Sequence, residues 1–462
     1  MDTALEALRQ VVGRQHLLAG SDVEAHYLQD GFAPKSAGVP LAVARPGSTQ
    51  EVSSILRVCC AHRLPVVPQG GLTGLAGGAT PTDGCLVLSL ERMAGVEEID
   101  AAAATLTAWA GTPLQIVQEA ARAAGFFFPL DLGARGSCQI GGNIATNAGG
   151  NRVLRFGMMR DLVLGLEVVL ADGTVLTSLN KMLKNNTGYD LKHLFIGSEG
   201  TLGVVTRAVL RLYPTPASAC TALCAVADYE HTVAFLRHAQ GGLGGALSSF
   251  EMMWPDFYEL VTRQVPGLTT PLPHGHGGYV LVEALGSSPS RDQEQFESML
   301  QGALAGGIIA DAVVAQSGAE SQELWRIRDA SGEMMQRVPF QAKFDVSIPT
   351  GDIGRFLDDC RAVLARRWPA MQSVAFGHIG DSNVHFNVHL PRVDDPQQVS
   401  ELEHLFYDRV RRWNGSISAE HGIGTLKREF LDYSRTPEEI ALMRALKRAL
   451  DPHDLLNPGK LL

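Results

Sequence analysis

The stretch PVVPQGGLTGLAGGATP, residues 65–81, follows a short apolar strand-like run and then turns almost wholly to small residues. Without a Cβ, backbone can approach a ligand closely and adopt φ > 0 at no steric cost. Successive N–H groups can then form a concave anion site. A diphosphate is the expected guest; the plain alternative is a long structural turn. The spacing is not G-x-G-x-x-G, so it is not the dinucleotide fingerprint of a doubly wound sheet. It is not G-x-x-x-x-G-K-[ST] either, which argues against a nucleotide triphosphatase. Two later segments repeat the theme: GSCQIGGNIATNAGGNRVLRFG (136–157) and GSEGTLGVVT (197–206).

Outward from this loop, LAVARP, a helix starting at Thr49 with Ser48 or Thr49 as its cap, and LPVVPQ read as a small parallel βαβ unit. CLVLSL and LTAWAG read as short strands, and 113–125 as a helix opening on Pro and closing on Gly. GLEVVLADGTVLTS reads as a hairpin turning at Asp-Gly, and GVVTRAVLRLYPTP as a strand stopped by Pro214 and Pro216. Residues 1–20 read as a helix. Beyond 216, strands such as ACTALCAV and GGYVLVEAL alternate with helices such as HTVAFLRHAQ and RDQEQFESMLQGALA, and 437–450 form a last helix. The expected architecture is α+β, with domains at 1–215 and 216–430 and a C-terminal helical segment at 431–462.

Composition bounds the function. A chain of 462 residues is too long for one ordinary core, and a formal charge of −10 argues against tracking a nucleic-acid backbone. Seven cysteines without a C-x-x-C pair point to a reducing compartment. There is no signal-peptide pattern and no run of about 18 apolar residues. A cytoplasmic location is therefore expected, with peripheral membrane contact left open. Oligomeric state cannot be read from composition; a homodimer is a common state among soluble proteins and is the expectation here.

The segment FGHIGDSNVHFNVHL (376–390) carries chemistry. If Gly380–Asn383 is a four-residue turn with Ile379 facing Val384, His378 faces His385 across an antiparallel pair and the two can share a divalent cation. Asn387 and His389 would share that strand face. In ISAEHGIG (417–424), Glu420 would complete a His–His–carboxylate set, and His421 is better placed as a base than as a ligand. Zinc suits that set; manganese, iron or cobalt also fit. Trp325 reads as core, Met334 and Met335 as helix packing, and Lys427 and Arg428 as solvated.

Taken together, QGGLTGLAGG, IGGNIATNAGG and IGSEGTLGVVT resemble the FAD-binding domain of the p-cresol methylhydroxylase/vanillyl-alcohol oxidase superfamily. GHIGDSNVHFN with SAEHGIG resembles the second, antiparallel-sheet cap domain of the D-lactate, glycolate and D-2-hydroxyglutarate dehydrogenase group, and KFDVSIP within 324–349 is most similar to the D-2-hydroxyglutarate branch. The resemblance implies that Gly70, Gly71, Leu72, Thr73 and Gly74 wrap the FAD diphosphate. Ser137, Gly141, Asn143, Thr146, Asn147 and Gly149 would line the flavin and ribityl side. Glu199, Gly200, Gly203 and Val205 would reach the flavin and adenine, and Asn457 lies in a terminal segment that returns to the flavin. GGLTG lacks the His that attaches flavin in some members, so FAD is expected to be non-covalent; Cys138 reads as a small loop residue. Arg328, Lys343 and Asn387 match residues that hold substrate. Gly332 stands where a Thr is expected, which leaves the distal-carboxylate contact open.

The implied reaction is oxidation of a small D-2-hydroxy acid. Arg328 would hold a carboxylate, a metal at His378, His385 and Glu420 would acidify the hydroxyl, His421 would take its proton, and a hydride would pass to the flavin. An electron-transfer flavoprotein, a quinone or a cytochrome would accept the electrons. The alternatives are a D-lactate or glycolate dehydrogenase, a non-redox synthase on the same flavin scaffold, and a metal hydrolase binding a phosphate ester.

Overall fold

A computed structural model describes residues 2–31, 38–393 and 395–462. The chain divides into two compact units: 1–150, 157–215 and 420–462 form the first, and 151–156 and 216–419 the second. The first break lies between Thr215 and Pro216, but the return to the first unit comes at Glu420 rather than after 430. The physical reason lies in the second unit's sheet, which holds the chain up to 419. Ser347 and Ser416 form a bridge, and the Ala419 N–H donates to the Asp345 carbonyl at 3.3 Å. Residues 151–156 leave the first unit because Arg152 pairs with Glu283 at 3.1 Å and Ser249 Oγ donates to the Asn151 carbonyl at 2.6 Å.

The first unit begins with the helix Asp2–Val12, shorter than the expected 1–20. Gly13 at φ 81° ends it, and Leu17–Ala19 is already a strand. β1 (Leu17–Ala19), β2 (Ala42–Ala44), β3 (Val66–Gln69) and β4 (Leu86–Ser89) form a sheet in the order β1-β2-β4-β3, parallel except for β1. The helix Thr49–His62 links β2 to β3. Ser48 Oγ caps it by accepting the Glu51 N–H at 3.2 Å, and Val52, Ile55, Leu56 and Cys59 form its buried stripe.

β5 (Val96–Asp100), β6 (Thr105–Trp109), β8 (Val163–Val169), β9 (Val175–Ser178) and β10 (Val204–Arg211) form an antiparallel sheet in the order β5-β6-β10-β8-β9. β7 (Phe126–Phe127) pairs with β11 (Tyr213–Pro214). Thr49 and Ser53 join the helix Thr49–His62 to this second sheet through Glu167 and the Gly173 carbonyl, both at 2.6 Å. The tail runs beside β3, with Val66 bridged to Leu456.

The second unit is built on seven antiparallel strands: β12 (Ser218–Val226), β13 (Leu247–Met253), β14 (Gly278–Gly286), β15 (Asp311–Val314), β16 (Ala342–Ser347), β17 (Gln372–His378) and β18 (Asn383–His389). Their order is β15-β12-β14-β13-β17-β18-β16. Behind β16 and β18, Phe344 and Phe386 stack on Phe406 of the helix Gln397–Arg412, with ring centroids 3.7 and 5.5 Å away. By period two, the opposite face of these strands presents Lys343 and Asp345 of β16 and His385 and Asn387 of β18. Among the described residues no helix is long and apolar enough to cross a membrane.

Candidate functional site

In the first unit, the glycine-rich loop leaves β3 and closes one wall of a cleft of about 450 Å³. The loop's conformation depends on missing side chains. A Cβ at Gly71 would lie 1.9 Å from the Ser137 carbonyl oxygen, and one at Gly74 would meet the Asp30 carboxylate at 2.8 Å. Asp30 accepts the N–H groups of Gly31 at 2.8 Å and Ala79 at 3.2 Å, which shapes the loop from the side. Burial raises its pKa, against the opposing pull of these N–H groups. The residue was not singled out in the sequence because it lies some forty positions upstream in an unremarkable run.

A second wall is the helix Ile140–Ala145. Gly142 lines the cleft, and a Cβ there would meet no protein atom within 4 Å. Gln69 Oε1, Gln139 Oε1 and Asn143 Oδ1 are buried acceptors of cleft-lining residues, without a hydrogen-bond partner among the described residues. Buried polar atoms are seldom left unpaired. Orphaned acceptors beside glycine-lined backbone fit the sugar hydroxyls and phosphate-bearing chain of a dinucleotide such as FAD.

Gly70, Gly71, Leu72, Thr73, Gly74, Gly141, Asn143, Thr146, Gly149, Glu199, Gly200, Gly203, Val205 and Asn457 all line this cleft. Ser137 and Asn147 stand behind it: the first backs Gly71, and the second accepts the Arg160 N–H at 2.9 Å. Leu72, Asn147, Glu199 and Asn457 are held at positive φ, between 50° and 54°. For side chains with a Cβ this region is strained, and such residues concentrate at ligand sites. Cys138 is buried in the loop, where burial pushes its thiol pKa up.

The same cleft is lined by Glu420 and His421. The loop that carries them turns at Gly422 and Gly424, both at positive φ, and Ile423 and Gly424 donate their N–H groups to Glu199 at 2.8 and 2.7 Å. Asn457 Nδ2 donates to the Glu199 carbonyl at 2.7 Å and to the Gly78 carbonyl at 3.0 Å. Lys460 Nζ donates to Asn457 Oδ1 at 2.8 Å, and burial pushes its pKa down to about 8. Lys427, expected to be solvated, is buried. Its Lys-Arg context reads as a surface pair, yet the turn at Gly424 carries it inward while Arg428 stays outside and donates to the Gly459 carbonyl at 2.8 Å.

The second unit supplies the histidine hairpin, with one correction of register. Phe376, not His378, is paired with His385. The four-residue turn falls one position earlier than expected, at 379–382: Ile379–Asp381 form one 3-10 turn and Ser382 adopts φ 72°. A shift of two residues leaves every side chain on its original face. His378 and His385 therefore still converge, with ring centroids 5.6 Å apart and an edge-to-face geometry. His389 lies further along and its Nδ1 contacts the Pro339 carbonyl at 3.0 Å.

Glu251 on β13 is paired with His378 and was missed in the sequence, where it lies in a segment without a motif. Its Oε1 is 2.7 Å from His378 Nδ1, and its Oε2 accepts the Arg328 Nε–H at 2.8 Å. Desolvation pushes the Glu251 pKa up, but His378 and Arg328 outweigh it and hold the group below its ordinary value. Arg328 Nη2 is 3.3 Å from His378 Nε2, and the guanidinium sits 5.0 Å over the Phe376 ring. Asp345, opposite His385, accepts from Asn383 Nδ2 at 2.9 Å.

Lys343 is directly paired with Asn387, and burial lowers its pKa. Gly332 lies in the short helix Ser331–Arg337, where a Cβ would meet nothing. Met334 is buried and Met335 partly so, both packing as expected. Trp325 is partly buried against the core, and its Nε1–H donates to Glu283 at 3.1 Å.

One unit thus carries a glycine-built cradle for a flavin dinucleotide, and this defines a flavoprotein class. Residues 40–178 match the family described as FAD binding domain, and residues 215–461 that described as FAD linked oxidases, C-terminal domain. The chain is 40% identical to "D-2-hydroxyglutarate dehydrogenase" of Xanthomonas citri pv. viticola (strain LMG 965 / NCPPB 2475 / ICMP 3867 / CFBP 7660), covering 100% of this chain and 97% of that one. It is also 40% identical to "D-2-hydroxyglutarate dehydrogenase, mitochondrial" of Arabidopsis thaliana, over 90% of this chain and 74% of the relative. The structure of p-cresol methylhydroxylase with substrate bound superposes with a TM-score of 0.81 at 16% identity, covering 100% of this chain and 96% of the other. The chain belongs to the FAD-linked oxidase family, among the FAD-dependent D-2-hydroxy acid dehydrogenases.

Proposed function

We propose that the protein oxidises D-2-hydroxyglutarate to 2-oxoglutarate and passes the electrons to a non-nicotinamide acceptor, an electron-transfer flavoprotein, quinone or cytochrome. One observation carries the reading: Glu420 and His421 line the cleft formed by the glycine-rich cradle. A candidate base and a candidate metal ligand therefore share the cavity in which the flavin would sit. FAD, bound non-covalently through Gly70 to Gly74 and the 137–149 segment, supplies the hydride acceptor.

The protein's own residues do the rest. Arg328, Lys343 and Asn387 bind the carboxylates and set the orientation of the substrate's Cα–H. Arg328 offers a planar fork, partly engaged by Glu251, and Lys343 and Asn387 stand side by side on neighbouring strands. His421 takes the proton of the α-hydroxyl. His378 and His385, with Glu420 following directly on the second unit's last residue, would hold a divalent ion, zinc first among candidates, and it would supply Lewis acidity to that hydroxyl. The donor set supports this: a ligating imidazole is commonly oriented by a carboxylate on its other nitrogen, as Glu251 does for His378.

Gly332 favours a second reading. It presents no side chain to a distal carboxylate, so a smaller acid such as D-lactate or glycolate is the runner-up substrate. Comparing kcat/KM over D-2-hydroxyglutarate, D-malate, D-lactate and glycolate separates the two. His421→Ala tests the base: it is expected to keep FAD and lose on the order of 10²–10⁴-fold in substrate-driven flavin reduction. Near-normal reduction in that variant would remove His421 from the role.

A further inference from the structure

Glu199, expected from the resemblance to reach the flavin, lines the cleft, and its carboxylate engages a neighbouring loop. Oε1 accepts the Ile423 N–H at 2.8 Å and Oε2 the Gly424 N–H at 2.7 Å. Both oxygens thus engage the loop that begins with Glu420 and His421. Gly422 packs against the same carboxylate: at φ 80°, a Cβ there would lie 2.9 Å from Oε1. The loop is fixed on its far side too, since Thr425 and Leu426 donate to the Ala76 carbonyl at 3.0 and 3.2 Å, and a Cβ at Gly424 would meet that oxygen at 2.0 Å.

The backbone of Glu199 is engaged as well. Its N–H donates to the Ala145 carbonyl at 2.8 Å, at the end of the cradle helix, and its carbonyl accepts Asn457 Nδ2 at 2.7 Å. Asn457 in turn reaches Gly78 in the first glycine loop. Glu199 is buried and held at φ 54°, a conformation a glutamate adopts only when its surroundings impose it. One residue therefore joins the cradle helix, the first glycine loop through Asn457, and the loop of Glu420 and His421.

We propose that Glu199 is a positioning residue: its carboxylate sets the height of the 420–424 loop over the flavin cradle and so places His421 and Glu420 for the reaction. The inference rests on the roles given to those two residues above. A carboxylate suits the task because both oxygens accept, whereas a carboxamide would turn an N–H donor against one of two N–H groups. Burial pushes the Glu199 pKa up, and the two N–H groups with Lys427 and Lys460 offset only part of that shift.

Glu199→Gln in the FAD-loaded protein is the test, read in two ways. Hydrogen exchange of the amides over 420–426 should quicken at least about tenfold while β3 and the helix Ile140–Ala145 keep their protection. Anaerobic flavin reduction by D-2-hydroxyglutarate should slow on the order of 10²-fold at saturation, with KM and FAD content close to wild type, because displacement by about 1 Å acts on the reacting geometry. Gly422→Ala, which pushes on the same carboxylate while leaving it in place, should reproduce both changes and decides the matter if Glu199→Gln fails to fold. Unchanged exchange, wild-type reduction, or loss of FAD from the folded variant would each overturn the proposal. A wild-type protein that no D-2-hydroxy acid reduces would instead overturn the substrate reading, and the exchange result would still judge the tether.

Discussion

His378 Nδ1 lies 2.7 Å from Glu251 Oε1, and both groups are buried. The contact turns the other imidazole nitrogen, Nε2, away from Glu251 and towards Arg328 Nη2, 3.3 Å away, and the same carboxylate holds Arg328 through its other oxygen. Removing it would leave a buried guanidinium without its counter-charge. Glu251→Ala is therefore expected to cost about 3–5 kcal/mol of stability, read from urea midpoints. Glu251→Gln, closer in shape, should weaken divalent-metal binding about 10–100-fold by titration calorimetry. Wild-type metal affinity in that variant would show that His378 needs no such support.

Metal removal bears on the His378–His385 pair directly. Dialysis against a chelator should abolish flavin reduction by the hydroxy acid and leave the yellow colour, since the glycine loops that build the cradle supply none of the metal ligands. Added zinc, manganese or cobalt should restore the rate. Full activity in protein shown by elemental analysis to be metal-free would remove the Lewis-acid step.

The cradle can be filled without touching the fold. Gly142 lines the cleft, and a Cβ there meets no protein atom. Gly142→Leu should therefore lower FAD content severalfold or more while the apoprotein melts within a few degrees of wild type. A variant that retains full FAD would place the dinucleotide elsewhere.

Acid stability follows from Glu167 in β8. Desolvation pushes its pKa up, but hydrogen bonds from Arg207, Thr49 and Thr206 prevail and hold it at about 2, below its ordinary 4.5. A depressed carboxylate pKa contributes stability that is complete above the unfolded value and lost as pH falls through the folded one. The stability difference between wild type and Glu167→Gln should accordingly shrink as pH falls from about 4.5 towards 2, measured by thermal melts across that window. A constant difference would mean the carboxylate is not ionised in the fold.

What was legible in the sequence follows from physical locality. The glycine loops announce themselves because close backbone approach needs glycine in a run, and 65–81 and 136–157 duly wall one cleft. The hairpin histidines were legible as a face even though their register was not. The turn falls at 379–382 rather than 380–383, with Ser382 at φ 72°, and this moves the pairing by two, a shift to which strand faces are indifferent. Glu251 and Asp30 were invisible because each reaches its partners across a sheet or a loop that no local pattern encodes. Lys427 was misread for the related reason that a basic pair looks solvated until a distant turn buries one member.

The most direct test of the central claim is the visible spectrum of the purified holoprotein under anaerobic conditions, followed on addition of D-2-hydroxyglutarate, D-malate, D-lactate, glycolate and the L-enantiomers. The account predicts a yellow protein whose flavin band bleaches with D-2-hydroxyglutarate and not with its L-form. A yellow protein that none of these acids bleaches would contradict the proposed chemistry, and a colourless protein that cannot be reconstituted with FAD would contradict the reading of the cleft itself.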